Sequence, residues 1–369
     1  MNELDRQAHR IHASMPVVDG HNDLPWAIRI RAAGDLSRAD PSRPLEGYHT
    51  DGPRLRTGGV GAQFWSVYVP AWQDEPFRAV IDQIDLVGAI VENDPDHLVA
   101  ASNAEAARQV AAGGRTASLL GAEGGHAIEN DLAKLEALCD RGVRYMTLTH
   151  SDSIDWADSA TDVARNGGLT EFGRSVVSMM NELGMVVDIS HVSDATMRDA
   201  IEVSDRPVMA SHSGARSIAS HVRNVPDDVL EAVAENGGVV MVNFYPSFVV
   251  DASAREMAEM FAEARELRPT FDSEADFDRA MNERRGAMNL DKGTVRDVVD
   301  HIDHIRSVAG IDHVGLGSDF DGIDSTPVGL EDVSRYPAIT RELLDRGWSE
   351  PDVRMVLGLN ALRVLADNE

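Results

Sequence analysis

Eight short runs of apolar and β-branched residues recur along this chain, each followed by a polar or glycine-containing turn. They are PVVDGHND, GAQFWSVYV, TASLLGAEGG, YMTLTHS, MVVDISHVS, PVMASHSG, VVMVNFYPS and HVGLGSDFDG. Most lead into segments such as FRAVIDQIDLVGAIVEN, TEFGRSVVSMMNELG or GTVRDVVDHIDHIRSVAG, whose apolar residues fall three and four positions apart, the spacing of one helix face. Alternation of strand and helix predicts an α/β fold, and eight repeats predict a closed (β/α)8 barrel of the TIM type.

The 369 residues exceed an ordinary domain but suit one barrel with additions. Residues 1–369 are therefore expected to form a single domain with an N-terminal helical extension. The stretch at about 247–292 is too long for a simple strand-to-helix loop, and its runs SAREMAEMFAEAREL and SEADFDRAMNERR predict an inserted helical segment near the barrel mouth. Thr170 and Ser193 are expected to cap helix starts, and Gly142, Gly184 and Gly237 to end helices.

Charge narrows the function. Thirty-four Lys and Arg against 62 Asp and Glu leave a net charge of -28, which repels nucleic acid and predicts a solvated anionic surface. The one cysteine, Cys139, lies in the helix-like run DLAKLEALCDRG with nothing beside it to activate a thiol, so it reads as core filler. The start MNELDRQAHRIHASM lacks the apolar run of a signal peptide, and no stretch reaches the length of a membrane span. A cytoplasmic location without membrane contact is the expectation.

Nearly every strand candidate ends in an ionisable or metal-capable residue: His21 and Asp23, Glu123, His150, His191, His212 and Asp319. In a (β/α)8 barrel those ends converge on one face, where the sites of this fold are built. Singly, each has a bland explanation: a loop histidine, a helix-capping Asp23, a turn Glu123, satisfied core imidazoles at His191 and His212. Together they form one cluster. If His21 and Asp23 lie on a strand, the two side chains share a face and can meet one cation. Glu123 has two oxygens and can bridge two cations. Mixed nitrogen and oxygen donors favour Zn2+ over magnesium or calcium. His126 reads as a supporting or loop residue, and the remaining histidines receive no role.

The motifs VVDGHNDLPW, EGGHAI, LTHS followed by DWADSA, DISHVS, SHSGA, RNVPDD, MVNFY and GLGSDFDG resemble, in order and spacing, the membrane dipeptidase (renal dipeptidase) family, from about Pro16 to Gly322. The resemblance implies two zinc ions per chain, one on His21 and Asp23, the other on His191 and His212, with Glu123 bridging. It also implies His150 near the scissile carbonyl, Arg223 at the substrate's terminal carboxylate, Asp319 at the proton-transfer position, and a homodimer. Arg223 on its own could instead pair with Asp227 or Asp228. Animal relatives carry disulfides, a secretory signal and a lipid-anchoring tail, which this chain is not expected to share. A tyrosine that some relatives place after the MVNFY strand aligns with Phe248, so one carboxylate-side contact is expected to be missing.

The expected reaction is attack by a metal-activated water on the peptide bond of a dipeptide, with the configuration of the second residue open between L and D. Glu123 holds the ions, His150 stabilises the oxyanion and Asp319 moves the proton. GxSxG is absent, so no acyl-enzyme is expected. Two rivals stand beside this reading: a related amide hydrolase acting on N-acyl amino acids or lactams, and a noncatalytic metal-binding barrel. His-x-Asp on the first strand and a glutamate bridge favour the dipeptidase.

Overall fold

The computed structural model describes residues 3–369. Nine strands form one parallel sheet: β1 Val17–Asn22, β2 Val60–Ser66, β3 Leu98–Ala100, β4 Thr116–Glu123, β5 Val143–Thr147, β6 Val186–Asp188, β7 Met209–Ser213, β8 Val239–Val242 and β9 Val314–Leu316. The order is β2-β1-β9-β8-β7-β6-β5-β4-β3, and β2 also pairs with β4, from Ala62 opposite Ala117 to Ser66 opposite Gly121. That pairing closes an eight-stranded barrel. All eight expected strands are present. The unexpected β3 lies outside the ring, against only the first three residues of β4.

Alternation along the strands divides the core in two. In β8, Val239 and Met241 belong to a cluster with Ala117, Leu119 and Val186, while Val240 and Val242 join the larger cluster shared with the helices. The first set fills the barrel, as side-chain layers do in this architecture. Leu362 and Leu365 of the C-terminal helix Asn360–Asn368 join it and plug the end opposite the strand C-termini.

Helix punctuation follows the expected chemistry. The Thr170 hydroxyl accepts from the Gly173 amide and the Ser193 hydroxyl from the Thr196 amide. Gly184 and Gly237 are left-handed caps, whereas Gly142 lies one residue beyond the cap Arg141. A helix spans Glu3–Ser14, and the long stretch after β8 carries helices Asp251–Leu267 and Glu274–Gly286. Cys139 is buried as filler, but one expectation about it needs correction: Nη1 of Arg144 lies 3.3 Å from its sulfur. Among the described residues no helix is long and apolar enough to cross a membrane.

Candidate metal centre

Glu123 is the last residue of β4. Continuing the inward alternation of Ala117 and Leu119 gives Gly121 and then Glu123, so the strand period itself aims the carboxylate into the barrel mouth. Around it stand four imidazoles. Oε1 lies 3.0 Å from Nε2 of His191, 3.4 Å from that of His212 and 3.9 Å from that of His150, while Oε2 lies 3.4 Å from Nε2 of His21. Ser66 donates to Oε2 at 3.1 Å. Nε2 atoms of His191 and His212 are 2.9 Å apart.

Simple alternation would turn His21 and His212 away from the mouth. Each sits where the ladder register slips, between Asp19 and Asn22 in β1 and between Ala210 and Ser213 in β7. Such irregularities re-aim side chains next to active sites. His150, His191 and Asp319 lie three residues beyond the ends of β5, β6 and β9. His191 and Asp319 take left-handed φ values of 66° and 65°, as Asp321 does at 67°. For non-glycine residues these are costly conformations that cluster at functional sites.

Asp23 departs from the expected geometry. It is not on the strand but at the start of helix Leu24–Ala32, and its side chain makes no cap hydrogen bond. Oδ2 lies instead 3.2 Å from Nε2 of His21, and Oδ1 is buried without a partner among the described residues. Helix capping therefore does not explain this aspartate. Gly322 matters here, because a Cβ would fall 2.2 Å from Oδ2 of Asp23 and 2.5 Å from Oδ1 of Asp319. Only a bare backbone can pass so close to both carboxylates.

Two imidazoles are held from behind through hydroxyls. Tyr145 donates its O–H to the Gly20 carbonyl at 3.1 Å, so it accepts from Nδ1 of His21 at 2.9 Å. The ring of Tyr145 occupies the space that a side chain at Gly121 would fill, 2.0 Å from its Cβ position. Ser211 donates to Oδ2 of Asp188 at 2.6 Å, so it accepts from Nδ1 of His212 at 2.8 Å. Both arrangements assign the Nδ1–H tautomer and leave Nε2 as the donor atom facing Glu123. Tyr145, Ser211 and Asp188 were not singled out from the sequence, although an aspartate inside the apolar run MVVDIS was the available signal. His126 is tied by Nε2 to the Val69 carbonyl at 2.9 Å and does not join the imidazole group.

Burial with the nearby Arg223 charge holds His191 well below the usual histidine range, and burial with the His21 charge does the same for His212. Both favour the neutral ring that binds cations. His21 is driven the other way: burial opposes its charge, but Tyr145, Glu123 and Asp23 outweigh it. Burial also opposes ionisation of Glu123, yet His21 and His150 keep it well below the carboxylate range. Burial and the Asp23 charge push Asp319 up to about 8, with Asn243 donating to Oδ2 at 2.9 Å.

The donor set suits divalent cations. His21, Glu123 and His212 form one compact group, Glu123, His150 and His191 a second, and His21, Asp23 and Asp319 a third. His21 Nε2 and Asp23 Oδ1 are buried polar atoms with no hydrogen-bond partner among the described residues, an expense that a bound ion would remove. Asp319, expected in proton transfer and substrate binding, therefore also stands within a ligand group.

Arg223 is 2% exposed. Its guanidinium donates to the Ser213 hydroxyl at 3.4 Å and the His212 carbonyl at 3.2 Å, and it stacks 5.2 Å from the Phe248 ring centre. Nε has no partner. Asp227 is occupied by His304 and Asp228 by Arg198, so the surface ion pair is excluded. Asp23, Glu123, His150, His191, Arg223 and Asp319 all line one cavity of about 270 Å³. Met257, Phe261, Asn282 and Arg285, from the two helices after β8, line it as well.

Among solved structures, a dipeptidase described as a metallopeptidase of family M19 is 26% identical, with a TM-score of 0.76 over 96% of this chain and 98% of its own. A metallopeptidase from Rhodobacter sphaeroides, solved with a phosphinate mimic of the dipeptide L-Ala-D-Ala, is 25% identical, with a TM-score of 0.76 over 96% and 99%. The probable dipeptidase PvdM from Pseudomonas aeruginosa, at 22% identity, shares the fold with a TM-score of 0.85 over 99% and 98%. The family model for membrane dipeptidase, peptidase family M19, matches residues 5–369. A hydrolase barrel whose mouth gathers imidazoles and carboxylates is what a family of metal-dependent dipeptidases requires, and this chain belongs to the membrane dipeptidase family, peptidase family M19.

Proposed function

We propose that the chain, acting as one barrel domain, is a binuclear zinc dipeptidase in which Glu123 is shared between two metal sites. One observation carries the reading. A single buried carboxylate has four imidazole nitrogens within 3.9 Å, and a buried guanidinium without a carboxylate partner lines the same cavity. His21 and Asp23 would hold one ion, His191 and His212 the other. Bound ions supply Lewis acidity at the carbonyl and bring the pKa of water towards neutrality.

The chain's own residues do the rest. Arg223 offers a planar fork of donors to the substrate's terminal carboxylate, which restricts the substrate to two residues. His150, at the cavity edge with Nδ1 beside the Ser151 hydroxyl, donates to the developing oxyanion. Asp319 takes the proton from the attacking water and returns it to the departing amine. The R. sphaeroides metallopeptidase bound to its L-Ala-D-Ala mimic supports testing second residues of both configurations.

The test is metal loading followed by a dipeptide panel with L- and D-residues in second place. Two ions per chain and hydrolysis confined to dipeptides are expected. Zinc-loaded protein that cleaves N-acyl amino acids but no dipeptide would overturn the substrate assignment. Sedimentation analysis tests the accompanying expectation of a homodimer.

A further inference from the structure

The helices after β8 bring a second arginine into the cavity. Arg285, from helix Glu274–Gly286, donates through Nε to Oδ2 of Asp324 at 3.0 Å and through Nη2 to Oδ1 of Asn282 at 3.1 Å. Its Nη1 has no hydrogen-bond partner among the described residues, and its side chain is 34% exposed. In a molecule of net charge -28 a half-buried guanidinium facing the substrate cavity is a strong local exception.

Its position can be read from the cavity's two walls. One runs from Trp26 to Tyr68 at 5.1 Å, on to His150 at 4.6 Å and His191 at 4.3 Å between ring centres. The other starts at Arg223 over Phe248 and continues edge-to-face to Tyr245 at 5.1 Å. Tyr245 and Asp319 line the same cavity as Arg285. Arg285 thus shares one cavity with Arg223, Phe248 and Tyr245, on the side proposed to receive the substrate's second residue, and is more exposed than Arg223. Met257 and Phe261 line the same cavity.

We propose that Arg285 is a specificity-determining residue that selects dipeptides with an acidic side chain on the second residue. The inference rests on the dipeptidase reading above. Arg223 takes the terminal carboxylate and Arg285 the side-chain carboxylate, each through a charge-assisted pair. A neutral isostere would leave the free edge of Arg285 unmatched, and a cationic side chain would meet direct repulsion. The alternative role for Arg285 is purely structural, a latch to Asp324 on the loop after β9.

The test compares Ala-Asp with Ala-Asn, and Ala-Glu with Ala-Gln, each with the second residue in both configurations, beside Ala-Ala. The zinc-loaded wild type is expected to favour the acidic member of a pair by tenfold or more in kcat/KM. Arg285→Gln should bring that ratio close to one, while Asp324→Asn, which breaks the latch alone, should leave it in place. Equal losses on acid and amide in Arg285→Gln, or no acidic preference in the wild type, would overturn the inference and leave the dipeptidase reading intact. No hydrolysis of any of the five peptide types would overturn both.

Discussion

Replacing Asp188 by asparagine should cost one metal ion although Asp188 touches none of the proposed ions. Its carboxyl accepts four hydrogen bonds: from the Thr147 hydroxyl at 2.5 Å, the Ser211 hydroxyl at 2.6 Å, and the Ser190 and Ser211 amides at 3.0 and 2.9 Å. An asparagine oxygen can keep the two amides, but its NH2 group then faces two hydroxyls and must donate. Ser211 is forced to reverse, accepting from the amide and pointing its hydrogen at Nδ1 of His212. His212 would then carry its proton on Nε2, the atom that faces Glu123. Restoring the donor tautomer costs a buried hydrogen bond, about 1–3 kcal/mol, which is roughly a 5- to 150-fold loss of affinity. Comparable removals of supporting partners cost about 10- to 100-fold. Competition with a chromophoric chelator, with ions counted by elemental analysis, reads the effect. Ser211→Ala removes the same restraint with a smaller change in the core and should weaken the same ion. Tyr145→Phe should instead weaken the ion on His21. Two ions of unchanged affinity in Asp188→Asn, with the fold intact by circular dichroism, would refute the tautomer argument.

Glu123→Gln should weaken both ions together in the same titration, and loss of one alone would show that Glu123 does not bridge. Asp319→Asn should lower turnover by about 10² to 10⁴, the scale of a positioned proton-transfer group. Because Asp319 lies in a ligand group with His21 and Asp23, its metal content must be measured alongside; retained turnover would reject the proton-transfer role. Arg223→Ala should cost roughly 2–5 kcal/mol in kcat/KM on a free dipeptide and little on its C-terminal amide, whereas equal losses would mark a loop support. Acid should destabilise the protein through four buried histidines outside the proposed ligand set. Burial leads the fall of His12, His126 and His301 to about 4 and of His221 to about 3. Their folded pKa values lie below the unfolded value near 6.5, so the stability they contribute is complete above that pH and lost as pH falls towards 4. Each can contribute on the order of 3 kcal/mol, so Tm should drop steeply from pH 6.5 to 4, and a flat profile would contradict it.

The strand runs and their terminal residues were legible because a parallel barrel imposes both: apolar strands buried on each side, and chemistry at one set of ends. Glu123 followed directly from alternation. His21 and His212 were identified by position, but the register slips that aim them were not, since a slip depends on the neighbouring strand. The i, i+2 spacing puts Asp23 on the strand with His21, while the structure has the chain already turning into a helix there. Three-residue β3 is too short to stand out from the loop around it. Tyr145, Ser211 and Asp188 look like ordinary strand residues until their hydroxyl and carboxyl partners are known. That Arg285 faces the cavity depends on where the helices after β8 dock, which no local pattern encodes.

The left-handed backbone at His191 and Asp319 sets stability against the roles proposed for these side chains. Glycine adopts that conformation without the penalty of about 1 kcal/mol that a side chain brings, so the substitution that relaxes the loop is also the one that removes the functional group. Selection for robustness alone would therefore drive such a barrel towards a sturdier and inert descendant. Folding stability alone gives no reason to keep the imidazole at 191 or the carboxylate at 319.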